Sequence, residues 1–276
     1  MRSVRQHLAR AAGWLGPAGT VSAVLVAGVV LAVLWPGVLT GQDPNAIAPS
    51  SALAPPGSGH WFGTDPSGRD VYTRVIHGAG QSVGIGLAAT AIGVGLGMIL
   101  GFSAGLGPRW LDAALNRVIE VLFSLPTLVL ALLLVAVMGA GVRASVIAVG
   151  LATAPGYARI LRSRVRSVAS SGYIQAARLE GAGPGAILGR HLAPNSLWPL
   201  VAVATLGIGQ AIVWVAALSF LGLGALPPSP EWGAMLNAGR LHISGAWWLT
   251  VFPGLAITLT AAVLTVLGRR LGRVGS

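Results

Sequence analysis

The side chains that most often carry covalent or metal chemistry are scarce in this chain. None of its 276 residues is cysteine, and all eighteen basic residues are arginines. Thiol catalysis, a Schiff-base lysine and a Walker A phosphate loop are therefore excluded. The five histidines show none of the i, i+3 or i, i+4 spacing of helical metal sites: His7, His60, His77, His191 and His242. We predict no catalytic residue, no metal site and no cofactor bound by this chain.

Acidic side chains that could relay protons are nearly absent from the apolar segments. Glu120 lies only near the boundary of one. Proton-coupled carriers usually need buried acids or histidines, so the sequence argues against a stand-alone secondary transporter. The polar residues within the apolar segments are mild, and we interpret them as sites of helix-packing hydrogen bonds rather than substrate ligands: Ser124, Thr127, Thr205, Gln210 and Ser219.

The elements that position these residues are those of a membrane protein. The mean hydropathy is +0.76, and only 9% of residues are charged, against roughly a quarter in soluble domains. A net charge of +11 could suggest nucleic acid as a partner. However, the arginines stand at the ends of apolar runs and form no continuous stripe. This placement predicts contact with membrane lipid and none with nucleic acid.

Six apolar stretches are long enough to cross a bilayer, since about twenty helical residues span the hydrocarbon core. We read the first as an uncleaved span, because it is too long for a signal-peptide core and lacks a small-residue cleavage site. Pro126, Pro155 with Gly156, and Pro253 fall inside predicted spans, where membrane helices tolerate proline. The predicted spans are about 20–39, 83–106, 119–140, 145–161, 197–221 and 248–268.

The arginine distribution predicts the orientation of these spans. With the N-terminus inside, all but four arginines fall on the cytoplasmic side, and the exceptions are Arg69, Arg74, Arg143 and Arg240. The positive-inside rule therefore places both termini in the cytoplasm. The predicted organisation is a cytoplasmic segment 1–19, a first span with its outer loop 20–82, a transmembrane core 83–268 and a cytoplasmic tail 269–276.

Four glycines of the second predicted span share one helical face. Gly93, Gly97, Gly101 and Gly105 are each four residues apart. Small residues at this spacing allow a neighbouring backbone to approach closely. We predict a packing groove there, against a helix of this chain or of a partner.

A polar segment, 170–196, interrupts the apolar pattern between the fourth and fifth spans, on the predicted cytoplasmic side. Residues 173–180 suit a short helix, and Ser170 and Ser171 are available to cap it. Glycines then break the helix, and Pro184 suits the start of a second one. Pro194 predicts a break before the fifth span. The segment is therefore expected to form a helix–turn–helix at the membrane surface.

Several motifs of the chain, in order, resemble those of one transporter family. "QAARLEG" looks like the E-A-A-x-x-x-G motif of ABC-importer permeases. "GTDPSGRDVYTRVIHGAGQS", "HLAPNSLWPL", "ALSFLGLGALPPSPEWGAML" and "FPGLAI" resemble the dipeptide, oligopeptide and nickel permeases. The likeness runs from about His60 to Leu267. By this resemblance the chain is the second of two permease subunits of an ABC importer in the inner membrane.

The resemblance implies a type I importer permease fold, all-α, with about six spans and a cytoplasmic coupling helix. It implies a second homologous permease, two ATPase subunits or domains that bind ATP and Mg²⁺, and an extracytoplasmic substrate-binding protein. In the signature "GTDPSGRD", Asp65, Arg69 and Asp70 are expected to pair and cap. The residues assigned to ATPase docking are Tyr173, Gln175, Ala176, Ala177, Arg178, Glu180 and Gly181.

Three departures from the family pattern concern contacts rather than class. The leading glutamate of the docking motif is Gln175, which replaces a charged contact with a neutral hydrogen bond. Gly80 stands where the family often has arginine, and the tail "GRRLGRVGS" is short and basic.

Di- or oligopeptides are the favoured substrates, with nickel chelates or other small solutes as alternatives. A stand-alone carrier or membrane-embedded enzyme is the alternative from a different class.

Overall fold

Helices make up nearly all of the regular structure in residues 17–274, the part of the chain that the computed structural model describes. Within that range there is no named strand, only an isolated antiparallel bridge between Thr64 and Asp70. The cytoplasmic placement predicted for Arg2, Arg5 and Arg10 concerns residues outside the described range. The helices are α1 Pro17–Leu34, α2 Pro36–Leu39, α3 Val71–Leu106, α4 Arg109–Phe123, α5 Thr127–Met138, α6 Val142–Ala169, α7 Gly172–Leu179, α8 Pro184–Ile187, α9 Ala193–Phe220, α10 Trp232–Gly239 and α11 Trp248–Val274.

The predicted spans correspond, in order, to α1, α3, the pair α4–α5, α6, α9 and α11. Among the described residues, four helices are long and apolar enough to cross a membrane, and the bent α4–α5 pair would make a fifth. Val24–Leu34 is a shorter apolar helix within α1. The chain is thus an all-α, multi-pass membrane protein.

Two spans differ from their predicted bounds because polar residues join the helices. α3 begins at Val71, well before the predicted bound at residue 83. The predicted span began too late because Arg74, His77 and Gln81, in the first turns of α3, lower the local hydropathy. α4 begins at Arg109 for a similar reason, as it is strongly amphipathic. The predicted span over 119–140 is divided between two helices that together pass as one bent span. α4 and α5 meet at 93°, and Pro126 stands at the bend, where it cannot donate a helical hydrogen bond.

The predicted break at Pro194 was wrong. Residues Leu188–Leu192 form a π turn that continues directly into α9. The Ala193 N–H donates to the Leu188 carbonyl, five residues back, and the next residue, Pro194, has no N–H to offer. A π turn is a recognised way for a helix to absorb such an interruption. Pro155 and Pro253 lie inside α6 and α11, as expected.

The glycine face of α3 lies against α6 of the same chain. A Cβ added to Gly93 would stand 2.5 Å from Thr153 Oγ1, and one on Gly101 would stand 2.9 Å from Leu161 Cβ. Gly97 contacts Tyr157, and Gly105 contacts Val165. Side-chain and backbone atoms of α6 occupy this space so closely that no side chain fits on α3 at these four positions. α9 packs against both helices, and α11 packs on α9.

A buried arginine in the first turn of α3 joins two loops at that end of the helix. Arg74 is 5% exposed; its guanidinium donates to the carbonyls of Pro44, Pro228 and Ser229. Asp65 Oδ2 lies 3.8 Å from Arg74 Nε and 3.6 Å from Arg69 NH1. The guanidinium thereby ties the loop after α2 to the loop before α10.

Two helices at this end begin with a carboxylate cap. The Asp70 carboxylate accepts the Thr73 N–H at the start of α3, so the pairing and capping predicted for the "GTDPSGRD" signature are present. Glu231 accepts the N–H groups of Gly233 and Ala234 at the start of α10. Burial raises the pKa of the Glu231 carboxyl, while these two hydrogen bonds act in the opposite direction.

The close contact of α3 with α6 generates a prediction with a matched control on the same helix. Gly97→Ala places a methyl group 3.1 Å from the Ala158 nitrogen and against Tyr157 Cβ. Gly95→Ala meets nothing within 4 Å. We expect Gly97→Ala to lower the free energy of unfolding by about 1–3 kcal/mol. Gly95→Ala should be neutral or slightly stabilising, because alanine is the better helix former.

The measurement is the unfolding midpoint of the purified chain in detergent, followed by tryptophan fluorescence. Equal midpoints for the two variants would show that α3 and α6 do not pack through this face.

Candidate functional site

The segment that carries the docking motif joins the end of α6 to the start of α9. It consists of α7, a glycine-containing turn, α8 and the π turn. The predicted helix–turn–helix is therefore present, although its second helix has no break before α9. We call the end of the helical bundle that bears this segment the α7 end. α3, α6 and α11 also reach it.

A small hydrophobic core holds the segment on the bundle. Ile174 is fully buried, and it clusters with Leu161, Val165 and Val168 of α6. Ile187 and Leu192 complete the buried set from the second half of the segment. Apolar residues at a helical spacing in a mostly polar stretch therefore serve as an anchor. α7 rests on the last turns of α6 through one face and leaves the other face open.

The serines before α7 do not cap it in the predicted way. Ser171 occupies the N-cap position, yet its side chain makes no capping bond. Its hydroxyl instead donates to the Val168 carbonyl, and that of Ser170 donates to the Ser167 carbonyl. Both hydroxyls satisfy the last carbonyls of α6, which lack helical partners. The serines thus finish α6 rather than start α7.

Gly181 ends α7 in a backbone conformation that residues with a side chain rarely adopt. Its φ is +84°, and the following Ala182 N–H donates to the Ala177 carbonyl, 3.0 Å away. Gly181 itself donates to the Arg178 carbonyl. This is a Schellman-type ending, for which glycine is preferred because it has no Cβ to clash. The glycine of the motif therefore fixes the turn, and its surroundings are open.

Six of the seven predicted docking residues are exposed: Tyr173, Gln175, Ala176, Arg178, Glu180 and Gly181. Ala177 is different, since it is 9% exposed and lies on the same face as the buried Ile174. Its small side chain lets α7 approach the bundle. Within the chain, Ala177 thus belongs to the anchoring face of α7 rather than to its open face.

Leu179 was missed by the sequence reasoning. It is 90% exposed, and it ends the open face of α7 beside Arg178. The described residues leave this leucine almost fully uncovered at the α7 end. The available signal was its position inside "QAARLEG", where the motif leaves the residue type free.

The charged groups of the open face are available to a partner. Among the described residues, neither Arg178 nor Glu180 forms an ion pair, whereas arginines of α6 nearby do. Asp112 of α4 lies 2.5 Å from Arg162 Nε and 2.5 Å from an Arg166 nitrogen. This pairing, also missed from the sequence, holds α4 against α6. Gln175 donates only one long bond, 3.3 Å, to the Ser170 carbonyl.

Two of the polar residues in the spans bond to their own helix or its end rather than across helices. The Ser124 hydroxyl donates to the Val121 carbonyl, and that of Thr205 donates to the Val201 carbonyl. The interpretation as cross-helix packing bonds was therefore wrong for these two. In the described part of the chain, no group of three or more His, Asp or Glu side chains could hold a metal ion.

Comparison with known proteins agrees on the class. Residues 93–274 match the family described as "binding-protein-dependent transport system inner membrane component". The dipeptide transport system permease protein DppC of Alkalihalophilus pseudofirmus is 37% identical over 90% of this chain and 82% of the relative. The probable D,D-dipeptide permease DdpC of Escherichia coli is 39% identical over 91% and 85%. The glutathione permease GsiD of Pectobacterium atrosepticum is 37% identical over 97% and 86%.

Solved structures support the same fold at lower identity. The inward-facing MetNI methionine ABC transporter superposes with a TM-score of 0.56 at 19% identity, covering 70% of this chain and 94% of that one. An amino acid ABC transporter gives a TM-score of 0.59 at 16% identity, covering 73% and 94%. Each likeness concerns the fold alone, which is that of a type I importer permease.

The family match covers most of the helical bundle together with the anchored segment at the α7 end. The chain belongs to the binding-protein-dependent inner-membrane components and is a permease subunit of an ABC importer, without an ATPase site of its own.

Proposed function

We propose that this chain imports di- or oligopeptides together with a second permease, two ATPase subunits and an extracytoplasmic binding protein. The observation that carries the substrate class is the set of relatives, which are named for dipeptide, D,D-dipeptide and glutathione transport. All three solutes are short and contain at least one amide bond. The match extends over more than four fifths of each of these relatives, so it concerns whole subunits and not a shared fragment.

The open face of α7 is proposed as the contact with the ATPase. It presents Leu179, Arg178 and Glu180 outward, while Ile174 fixes the helix to α6. An exposed leucine between charged residues is what a partner groove can bury. The orientation proposed from arginine placement puts this face in the cytoplasm, where ATP is available to the partner. Both termini would lie on the same side.

A reconstituted system tests the substrate proposal. The complete importer in proteoliposomes, with its binding protein outside and ATP inside, should accumulate radiolabelled Ala-Ala against a gradient. Uptake should cease when ATP is replaced by a non-hydrolysable analogue, since this chain has no energy source of its own. Accumulation by this chain alone, without ATP, would contradict the proposal. So would an assembled importer that hydrolyses ATP yet takes up neither Ala-Ala, D-Ala-D-Ala nor glutathione.

Two adjacent alanines of α7 provide a matched pair for the docking face. Ala176 is exposed and Ala177 is buried. We expect Ala176→Asp to leave the unfolding midpoint of the chain unchanged while reducing binding of the ATPase subunits about tenfold, the effect of roughly 1.4 kcal/mol at an interface. Ala177→Asp should lower the unfolding midpoint as well, because it buries a carboxylate without a partner.

Co-purification of tagged ATPase and thermal unfolding are the two readouts. Leu179→Asp should behave as Ala176→Asp, and Leu179→Met, which preserves the apolar contact, should retain binding. Unchanged ATPase binding in both Ala176→Asp and Leu179→Asp would place the docking contact elsewhere.

The departure at Gln175 gives a separate prediction. Its side chain is exposed and makes only a long hydrogen bond, so Gln175→Glu should not change the unfolding midpoint. We expect the ATPase to bind the variant at least as well, because the acidic residue restores the family's usual contact with a basic partner. The affinity measured at low and at high salt checks the cause, since added salt should remove any gain. A variant that folds normally but fails to assemble would mean that the partner groove has lost its basic residue.

A further inference from the structure

An amide side chain in the middle of α9 has no hydrogen-bond partner among the described residues. Gln210 is exposed, and its side chain makes no hydrogen bond within the described residues. It lies near the centre of a helix long enough to span the membrane. An unpaired amide facing hydrocarbon is costly, because lipid tails offer neither donors nor acceptors. Gln210 must therefore face water, a solute or a polar partner.

The surroundings of Gln210 form a cavity rather than a flat lipid-facing surface. The cavity has a volume of about 360 Å³ and is bounded by α6, α9 and the bend between α4 and α5. Thr127, Tyr157 and Trp214 contribute further polar groups to its lining. No charged residue lines it. A site of this composition suits uncharged polar groups, with aromatic rings beside them.

The cavity lies where the bend between α4 and α5 faces a proline and a glycine of α6. α4 turns away from α5 at the 93° bend, and α6 has Pro155 followed by Gly156 opposite it. A Cβ on Gly156 would meet only the Phe123 ring, at 3.8 Å. The space is thus left open by residues without bulk.

A second cavity continues this space to the α7 end. It has a volume of about 540 Å³ and shares Ile160 and Val203 with the first. Its lining adds Arg164 and the hydroxyl group of Ser196, which is buried and has no hydrogen-bond partner. The two cavities adjoin at these shared residues, and we call them together the groove, which extends from the middle of α9 towards the α7 end. Polar groups without partners recur along it.

We propose that this groove is the part of the solute pathway that the chain itself contributes, and that Gln210 hydrogen-bonds the backbone amides of the passing peptide. This inference rests on the proposed function as a peptide importer. An uncharged amide offers one acceptor and two donors, which match the N–H and C=O groups common to every peptide. Because the cavity around Gln210 lacks a charged residue among the described residues, peptide side chains of either charge can pass it.

The lack of cysteine in this chain makes an accessibility test direct. Gln210→Cys and Val203→Cys place single thiols in the groove. Leu87→Cys is the control, since Leu87 is 48% exposed near the middle of α3 and lines neither cavity. In the assembled importer, a membrane-impermeant methanethiosulfonate reagent should label the groove thiols about tenfold faster than the control, because the reactive thiolate is disfavoured in apolar surroundings.

Labelling of Gln210→Cys as slow as that of Leu87→Cys would overturn the proposal. It would mean that lipid or the second permease covers the groove. This arm needs no transported solute, so its result stands even if the importer carries something other than peptides.

A charge-selectivity test addresses the role of Gln210 in contact with the peptide. We expect Gln210→Glu to shift the ratio of Lys-Lys to Glu-Glu uptake about tenfold towards Lys-Lys, and Gln210→Arg to shift it about tenfold in the opposite direction, because an introduced charge attracts the opposite one in a site of reduced dielectric. A purely structural role would lower uptake of both peptides alike. Basal ATP hydrolysis monitors assembly.

The outcomes separate the two proposals. If the wild-type importer takes up dipeptides but both variants leave the ratio unchanged, the role of Gln210 is refuted and the peptide function stands. If the wild type takes up no dipeptide while Gln210→Cys is labelled rapidly, the groove is a solute pathway and the substrate class is wrong.

Discussion

The close contact between the backbones of α3 and α6 is the constraint on which the rest of the structure depends. Four glycines at a spacing of four residues leave four successive positions on one face of α3 without side chains, and α6 lies directly against them. In a membrane, where lipid is as apolar as leucine, such dispersion contacts replace the hydrophobic effect as the force that joins helices. α6 is thereby fixed along most of its length. Its last turns carry the anchoring core of α7, and its middle lines the groove.

Tyr157 illustrates how far this constraint extends. It is the α6 side chain that lies against Gly93 and Gly97 of α3, and its hydroxyl contacts Gly207 of α9. Three glycines from two helices thus make room for one ring. The ring also lines the cavity around Gln210. The packing that holds the bundle together therefore sets the position of an aromatic residue in the cavity lining.

The sequence was sufficient for features that depend on local pattern. The span order, the shared glycine face and the short helix at 173–180 all follow from apolar periodicity or residue spacing. It was insufficient where a distant residue decides the outcome. Arg74 lowers the hydropathy of its segment, but its guanidinium donates to three carbonyls of remote loops. These bonds allow the segment to form the first turns of α3.

The segment at the α7 end, 170–196, shows the same division. Ser171 and Pro194 have the usual preferences for a helix start and a helix break, but the carbonyls of α6 and a π turn determine what they do here. The inward position of Ala177 and the outward position of Leu179 depend on which face of α7 meets α6. That face is set by tertiary packing, which the motif does not encode.

The uninterrupted course of the chain from Pro184 to Phe220 has a mechanical consequence. These 37 residues form one continuous helical rod, about 55 Å long at the usual helical rise and so longer than the bilayer core is thick. The first residues of this rod, 184–192, belong to the segment at the α7 end. If the rod moves as a rigid body, a sideways displacement of these residues tilts the whole span and carries the Gln210 amide with it. A flexible break at Pro194 would have absorbed the same displacement before it reached the membrane.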